Sequence, residues 1–173
     1  MNKLEPIIRA YKGFTGQDIV GECIDGSAPC GQPWSAVFLH QSQICMSANR
    51  IIVADIPPDK FLDVFSEAVR SIKVGDPSAP RAMIGSLCSA QAPSVSRLVE
   101  SGREAGFNVW AEGDIQGRVV PPHVFSNVEN SSDLAQSEIF ESLTIVMRGR
   151  DETEALPLGA SCLSARQTVP GEP

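Results

Sequence analysis

Apolar positions recur along this chain at two different periods, and the two alternate. After Pro57-Pro58-Asp59, the residues Phe61, Leu62, Phe65, Ala68, Val69 and Ile72 fall at 3.6-residue spacing. That spacing predicts an amphipathic helix, which Gly75-Asp76-Pro77 stops. A second helix is predicted over about 92–105, with Val95, Leu98, Val99 and Ala105 on one face and Gly106 as its C-terminal stop. A short buried helix is expected at Trp34–Leu39, and another begins at Asp151–Leu156, whose acids suit a first turn. Between the helices lie short apolar or β-branched runs: Arg50–Ala54, Phe107–Trp110, Val119–Phe125 and Leu143–Met147. The first is typical of a buried strand, the second and fourth read as strands, and the third reads as extended chain. Pro121-Pro122 inside the third run predicts a sheet edge or a bend, with His123 at the surface. Ile7, Ile8, Tyr11 and Phe14 predict a strand entering a turn at Phe14-Thr15-Gly16, and residues 22–33 read as a loop. Strands alternating with helices predict an α/β domain with a mostly parallel sheet flanked by helices.

Composition narrows the classes. The chain has 173 residues, about one domain, with 42% hydrophobic and 20% charged residues, which is too apolar for a disordered chain. Its 14 Lys+Arg against 21 Asp+Glu give a net charge of −7. Without a basic cluster, that balance argues against nucleic acid as a partner. The uncharged run from Gly31 to Asn49 is too polar to span a bilayer, so no membrane segment is expected. No apolar signal region follows Met1-Asn2-Lys3, and the tail from Gln167 is polar and expected to be flexible. Five cysteines (Cys23, Cys30, Cys45, Cys88 and Cys162) are widely spaced and form no CxxC pair. No metal site is therefore expected, and free thiols predict a reducing, cytoplasmic setting.

The order of several short motifs reaches further. Gln43-Ile44-Cys45-Met46-Ser47 is followed by Arg50-Ile51-Ile52-Val53, Lys73-Val74-Gly75-Asp76-Pro77, Ile84-Gly85, Pro121-Pro122-His123-Val124, Glu138-Ile139-Phe140 and Asp151–Leu156. Any one is weak, but in this order they resemble the NAD(P)-dependent aldehyde dehydrogenases, closest to the benzaldehyde and salicylaldehyde type. The resemblance covers about 34–166 and implies the catalytic-domain core of that fold. A fainter likeness, Pro6–Arg9 to Phe14-Thr15-Gly16 and Val20-Gly21, resembles the end of the family's cofactor domain. The expected organisation is therefore 1–33 as that remnant plus a linker, 34–166 as the catalytic-domain core, and 167–173 as a tail.

By this resemblance Cys45 matches the thiol nucleophile that attacks an aldehyde. Glu138 matches the acid that holds the nicotinamide ribose, and Phe140 the aromatic beside it. Thiolate chemistry suits the task, because sulfur is nucleophilic near neutral pH and leaves well from a tetrahedral intermediate. His40, five residues before Cys45, is a candidate base that could lower the thiol pKa. The interval Glu22–Trp34 carries no counterpart of the family's "ELGGK", whose Glu activates water. The family's Gly before the nucleophile is Ser42, which matters if φ > 0 is needed there. Its "G-P" after Phe140 reads Glu141-Ser142. A Rossmann half is also not found, so autonomous NAD-dependent oxidation is not expected. NAD(P) is implied by resemblance only, with no tightly bound cofactor expected.

Three readings stay open: a residual aldehyde dehydrogenase-like oxidoreductase acting on a small aldehyde; a cofactor-independent hydrolase, isomerase or cyclase using Cys45; and a non-catalytic pseudoenzyme. Against each sharp role stands a plain one. Cys45 and the other cysteines can be buried filler, Glu138 a solvated acid, Phe140 core and His40 structural. A shortened α/β fold also predicts self-association through exposed sheet or apolar surface.

Overall fold

In a computed structural model of the chain, the described residues are 11–12, 18–20, 37–44, 47–53, 58–80, 82–87 and 92–161. All five cysteines lie outside them, as do Ile7, Ile8, the turn at 14–16, the loop at 22–33 and the tail from Gln167.

Six strands form one sheet in the order β1-β2-β3-β6-β5-β4. They are β1 (Tyr11–Lys12), β2 (Asp18–Val20), β3 (Arg50–Val53), β4 (Asn108–Ala111), β5 (His123–Ser126) and β6 (Leu143–Arg148). The four inner strands are parallel, and β1 and β4 pair antiparallel at the edges. The fold is thus the α/β class with a mostly parallel sheet that the alternating periods predict. β1 and β2 join the same sheet through β2–β3 pairing.

Alternation along the strands splits the core in two. Ile51 and Val53 of β3, Val124 of β5 and Val146 of β6 face one side, while Ile52, Phe125, Ile145 and Met147 face the other. Side chains on a strand point alternately to opposite faces, and both faces here are covered, so the strands read as continuous apolar runs. On the first side lies α1 (Pro58–Arg70), which buries Phe61, Leu62, Phe65 and Val69. Phe65 stacks on Phe61 with ring centroids 5.2 Å apart and on Phe38 at 6.4 Å. On the second side lie α2 (Ala92–Glu104) with Val95 and Val99, the short α3 (Asp133–Gln136) with Leu134, and α4 (Glu152–Ala160) with Ala155. Asp151 caps α4, its carboxylate accepting the Glu154 amide at 3.0 Å, as expected of an acid at a helix start.

Three expectations fail. The run ending at Phe125 is no edge: β5 lies between β4 and β6. Pro121 and Pro122 precede the strand, so they remove no ladder hydrogen bond. His123 is not at the surface but 1% exposed, with Nδ1 2.7 Å from the Pro121 carbonyl. Burial holds its imidazole below the ordinary pKa. The helix expected over 34–39 is helical at 37–38 and then gives way to a tight turn at Leu39–Ser42.

Candidate active site

The two segments that carry most of the candidate residues meet at the N-terminal ends of β3 and β6. Asn49, just before β3, clamps them. Its carbonyl accepts the Ile145 amide at 3.2 Å and the Thr144 hydroxyl at 3.0 Å. Its side-chain amide donates to the Ser137 carbonyl at 3.0 Å. Between the segments lies a cavity of about 10 Å³, room for about one water. Ser42, Ile44 and Ser47 line it from one side, and Glu138, Ile139, Phe140 and Glu141 from the other.

Cys45 itself lies outside the described residues; the residues before it and just after Met46, Ile44 and Ser47, line this cavity. The Val37 carbonyl ties both ends of the loop, accepting the Ser42 hydroxyl at 2.6 Å and the Ser47 hydroxyl at 3.1 Å. Glu138 and Phe140 are at the exposed rim, with Phe140 37% accessible. His40 is exposed, and its side chain is not among those lining the cavity.

Backbone strain concentrates here. His40, Gln41 and Ser42 have φ of 50°, 59° and 61°, and Phe140 has φ of 52°. These are four of the five non-glycine residues with positive φ among the described residues. The left-handed region costs an L-residue about 1–2 kcal/mol, and such positions gather at functional sites. Ser42, standing where the family carries Gly, thus does adopt φ > 0. Neighbouring motifs brace this turn. The Gln41 amide, oriented to satisfy both ends, donates to the His40 carbonyl at 2.9 Å and accepts the Gly85 amide at 2.7 Å. A Cβ on Gly85 would come within 2.7 Å of Pro77 Cγ, so only glycine fits this approach. Asp76 Oδ1 shapes the turn below by accepting the Ser78 amide at 2.8 Å and its hydroxyl at 2.7 Å. Those bonds hold the Asp76 carboxyl below its ordinary pKa.

The residue that sequence reasoning did not single out is Glu141. It is 2% exposed, and neither carboxylate oxygen has a hydrogen-bond partner. Burial pushes its pKa up to about 7. The Ser142 hydroxyl beside it is also buried and unpartnered. The signal was present as the Glu141-Ser142 that stands where the family has Gly-Pro. Among the described residues there is no cluster of metal-ligating side chains, and no helix is long and apolar enough to cross a membrane.

The fold and this cavity define an α/β domain in which residues flanking positions 45–46 and the carboxyl-bearing segment 138–141 line one cavity at one end of a mostly parallel sheet. Residues 19–162 match the aldehyde dehydrogenase family, and the chain belongs to it. It is 43% identical to a vanillin dehydrogenase of Corynebacterium glutamicum over 122 residues, which is 70% of this chain and 25% of that protein. It is 37% identical to a benzaldehyde dehydrogenase of Bacillus subtilis, again over 70% of this chain and 25% of that one. The crystal structure of an NAD-dependent benzaldehyde dehydrogenase from Corynebacterium glutamicum superposes with a TM-score of 0.72 at 40% identity. That match covers 80% of this chain and 30% of that one. The chain therefore spans about a quarter of the length of the curated relatives it matches.

Proposed function

We propose that this domain performs cysteine-based carbonyl chemistry on small aromatic aldehydes or their acyl derivatives, with Cys45 as the nucleophile. One observation carries the reading. Residues on both sides of Cys45-Met46 and the Glu138–Phe140 segment, matched independently to the family's nucleophile and cofactor-side motifs, line one strained cavity. The names of the vanillin and benzaldehyde dehydrogenase relatives support the substrate class. In the reaction, the Cys45 thiolate adds to the carbonyl carbon, and sulfur's low basicity lets it leave again.

The described residues do not by themselves fit a nicotinamide dinucleotide. The cavity has room for a water, not for a nicotinamide ring, and Glu138 and Phe140 offer only its exposed rim. No hydride step is therefore assigned, and the exposed His40 is given no step.

Intact-mass analysis after brief exposure to p-nitrophenyl acetate tests the proposal. One acetyl group on Cys45, absent in Cys45→Ala, is expected. Acetylation of Cys45→Ala at the wild-type rate overturns the assignment. A parallel titration with NAD at millimolar concentration tests the oxidoreductase reading, which requires saturable heat.

A further inference from the structure

The cavity at the N-terminal ends of β3 and β6 is lined by acceptors that lack a matching donor. Glu141 lines it, is 2% exposed, and has neither oxygen hydrogen-bonded. A carboxyl so placed is costly, because it gives up its water shell without a replacement partner. The backbone enforces the placement. Phe140 is left-handed at φ 52° and exposed, while Ile139 and Glu141 on either side of it are buried. The Glu141 carbonyl accepts the Leu143 amide at 2.6 Å, which fixes the chain just after it. Ser42 and Ser47 line the cavity too, and both donate their hydroxyl protons to the Val37 carbonyl. Their oxygens, like those of an ionised carboxyl, have only lone pairs left to offer. A second carboxyl, Glu138, stands at the exposed rim beside Phe140. No described residue lining the cavity is a cation.

We infer that this cavity is a recognition site for a primary ammonium group, with Glu141 as its buried counter-charge. The ammonium head enters the cavity and donates to the Glu141 carboxylate, and any alkyl chain it carries leaves past Phe140 and Glu138. The site stands apart from the carbonyl chemistry proposed above and needs none of its steps. Glu141 occupies the place of a glycine in the motif that Glu138-Ile139-Phe140 begins, so the counter-charge is this chain's own.

Size, charge and chemistry select this ligand. The cavity of about 10 Å³ takes one water-sized group, which an ammonium head is and a guanidinium or quaternary ammonium is not. Ile44, Ile139 and Leu143 make the rest of the wall apolar, so an ion pair formed there is weakly screened. An exposed aromatic ring at the rim suits a passing cation. Among the described residues there is no cluster of metal-ligating side chains, whereas an N–H donor needs only the few acceptors present. Burial raises the Glu141 pKa to about 7, so the ligand competes with a proton and binds better as pH rises through that value. Glu138 is the other ionisable residue lining the cavity, at its rim. From the neighbouring strand, the His123 amide donates to the Ser142 carbonyl at 2.8 Å while its ring turns to the Pro121 carbonyl.

The test is a carbon-13 titration of the Glu141 carboxyl in the full chain, its resonance identified by its loss in Glu141→Gln. Four salts are compared at equal ionic strength: the chlorides of potassium, tetramethylammonium, ammonium and n-butylammonium. A midpoint near 7 is expected in the first two. With n-butylammonium it should drop to about 6 or below, because a cation held against a carboxylate favours its charged form. The same drop in ammonium chloride supports recognition of the head alone, and a drop confined to n-butylammonium supports an alkylamine whose chain engages the rim. An equal drop in potassium or tetramethylammonium chloride overturns the inference, since any cation then suffices. No drop with either ammonium source overturns it as well. So does a midpoint in the ordinary range near 4.5 without an amine, because Glu141 is then hydrated and has no deficit to fill. If Glu141→Gln does not fold, Glu141→Asp identifies the resonance.

Discussion

Arg50 and Glu141 are both charged residues taken out of water at the ends of adjacent strands, and the chain treats them in opposite ways. Arg50 is fully buried. Its guanidinium donates to the Gly159 carbonyl at 2.8 Å and to Asn130 Oδ1 at 3.3 Å. Asn130 in turn donates to Ser161 Oγ at 2.9 Å, whose hydroxyl reaches the Leu158 carbonyl at 2.8 Å. The network satisfies the last turn of α4 and puts a cation where the helix dipole favours one. Glu141 has burial of the same order and no partner for either oxygen. A buried polar group with its bonds made is architecture. One left unmade is a cost that a water, a substrate or a proton can relieve, so the contrast separates the scaffold from the candidate site.

The largest effect should come from breaking the satisfied half. Arg50→Leu strips donors from Gly159 and Asn130 and leaves those part-buried acceptors without them. A loss of about 3 kcal/mol is expected, a fall in Tm of roughly 10 °C by calorimetry. A change under 2 °C would mean that Arg50 is as dispensable as an orphaned group, and the contrast would collapse.

The orphaned half should announce itself through pH. The Glu141 carboxyl binds its proton more tightly when folded than at its ordinary value of 4.5. Stability is therefore greatest below about 4.5 and is lost as pH rises through about 7. Linkage puts the whole term at about 2–3 kcal/mol, allowing for water in the cavity. His123 has the opposite sign, since its folded pKa is lowered from 6.5 and acid below that value destabilises it. Subtracting the urea-unfolding curve of Glu141→Gln from that of the wild type isolates the first term. A difference flat from pH 4 to 8 would show that Glu141 is hydrated.

How much of this the sequence held depends on which physical signal each residue left. The helices and inner strands were legible because burial imprints its period directly: Phe61, Phe65 and Val69 on α1, and Ile51 to Val53 on β3. β5 was misread because Pro121-Pro122 suggests an edge, whereas the prolines end just before pairing begins. The motif order placed Glu138 and Phe140, and these do line the cavity beside the Cys45 segment. Arg50 and Glu141 were illegible as buried groups, because a charged side chain carries no period. Only tertiary packing says whether its charge finds a partner. The turn at His40–Ser42 was half legible: the family's Gly hinted at positive φ, but not at three such residues in a row.

Gly85→Ala probes the brace between the two halves. The added Cβ would sit 2.7 Å from Pro77 Cγ and 3.4 Å from the end of the Gln41 side-chain amide. The prolyl ring cannot swing aside, so an overpacking cost of about 1–2 kcal/mol is expected. The same shift should disturb Gln41 and slow acetylation of Cys45 by more than the stability loss explains. A loss of stability with acetylation unchanged would show that the brace serves the scaffold alone.

Ser42→Gly should have the smallest effect, because two terms oppose each other. Glycine at φ 61° relieves about 1 kcal/mol of left-handed strain. It also deletes the hydroxyl that donates to the Val37 carbonyl at 2.6 Å, worth about 1 kcal/mol. That carbonyl keeps the Ser47 hydroxyl at 3.1 Å, so no orphan is created. The net change should stay within about 1 kcal/mol by urea unfolding. A stabilisation well beyond that would mean the serine is held in place against its own backbone with no structural return, and the strained turn would then belong with Glu141 on the unsatisfied side. A loss of 2 kcal/mol or more would put the turn with Arg50, as a buried hydrogen bond on which the fold depends.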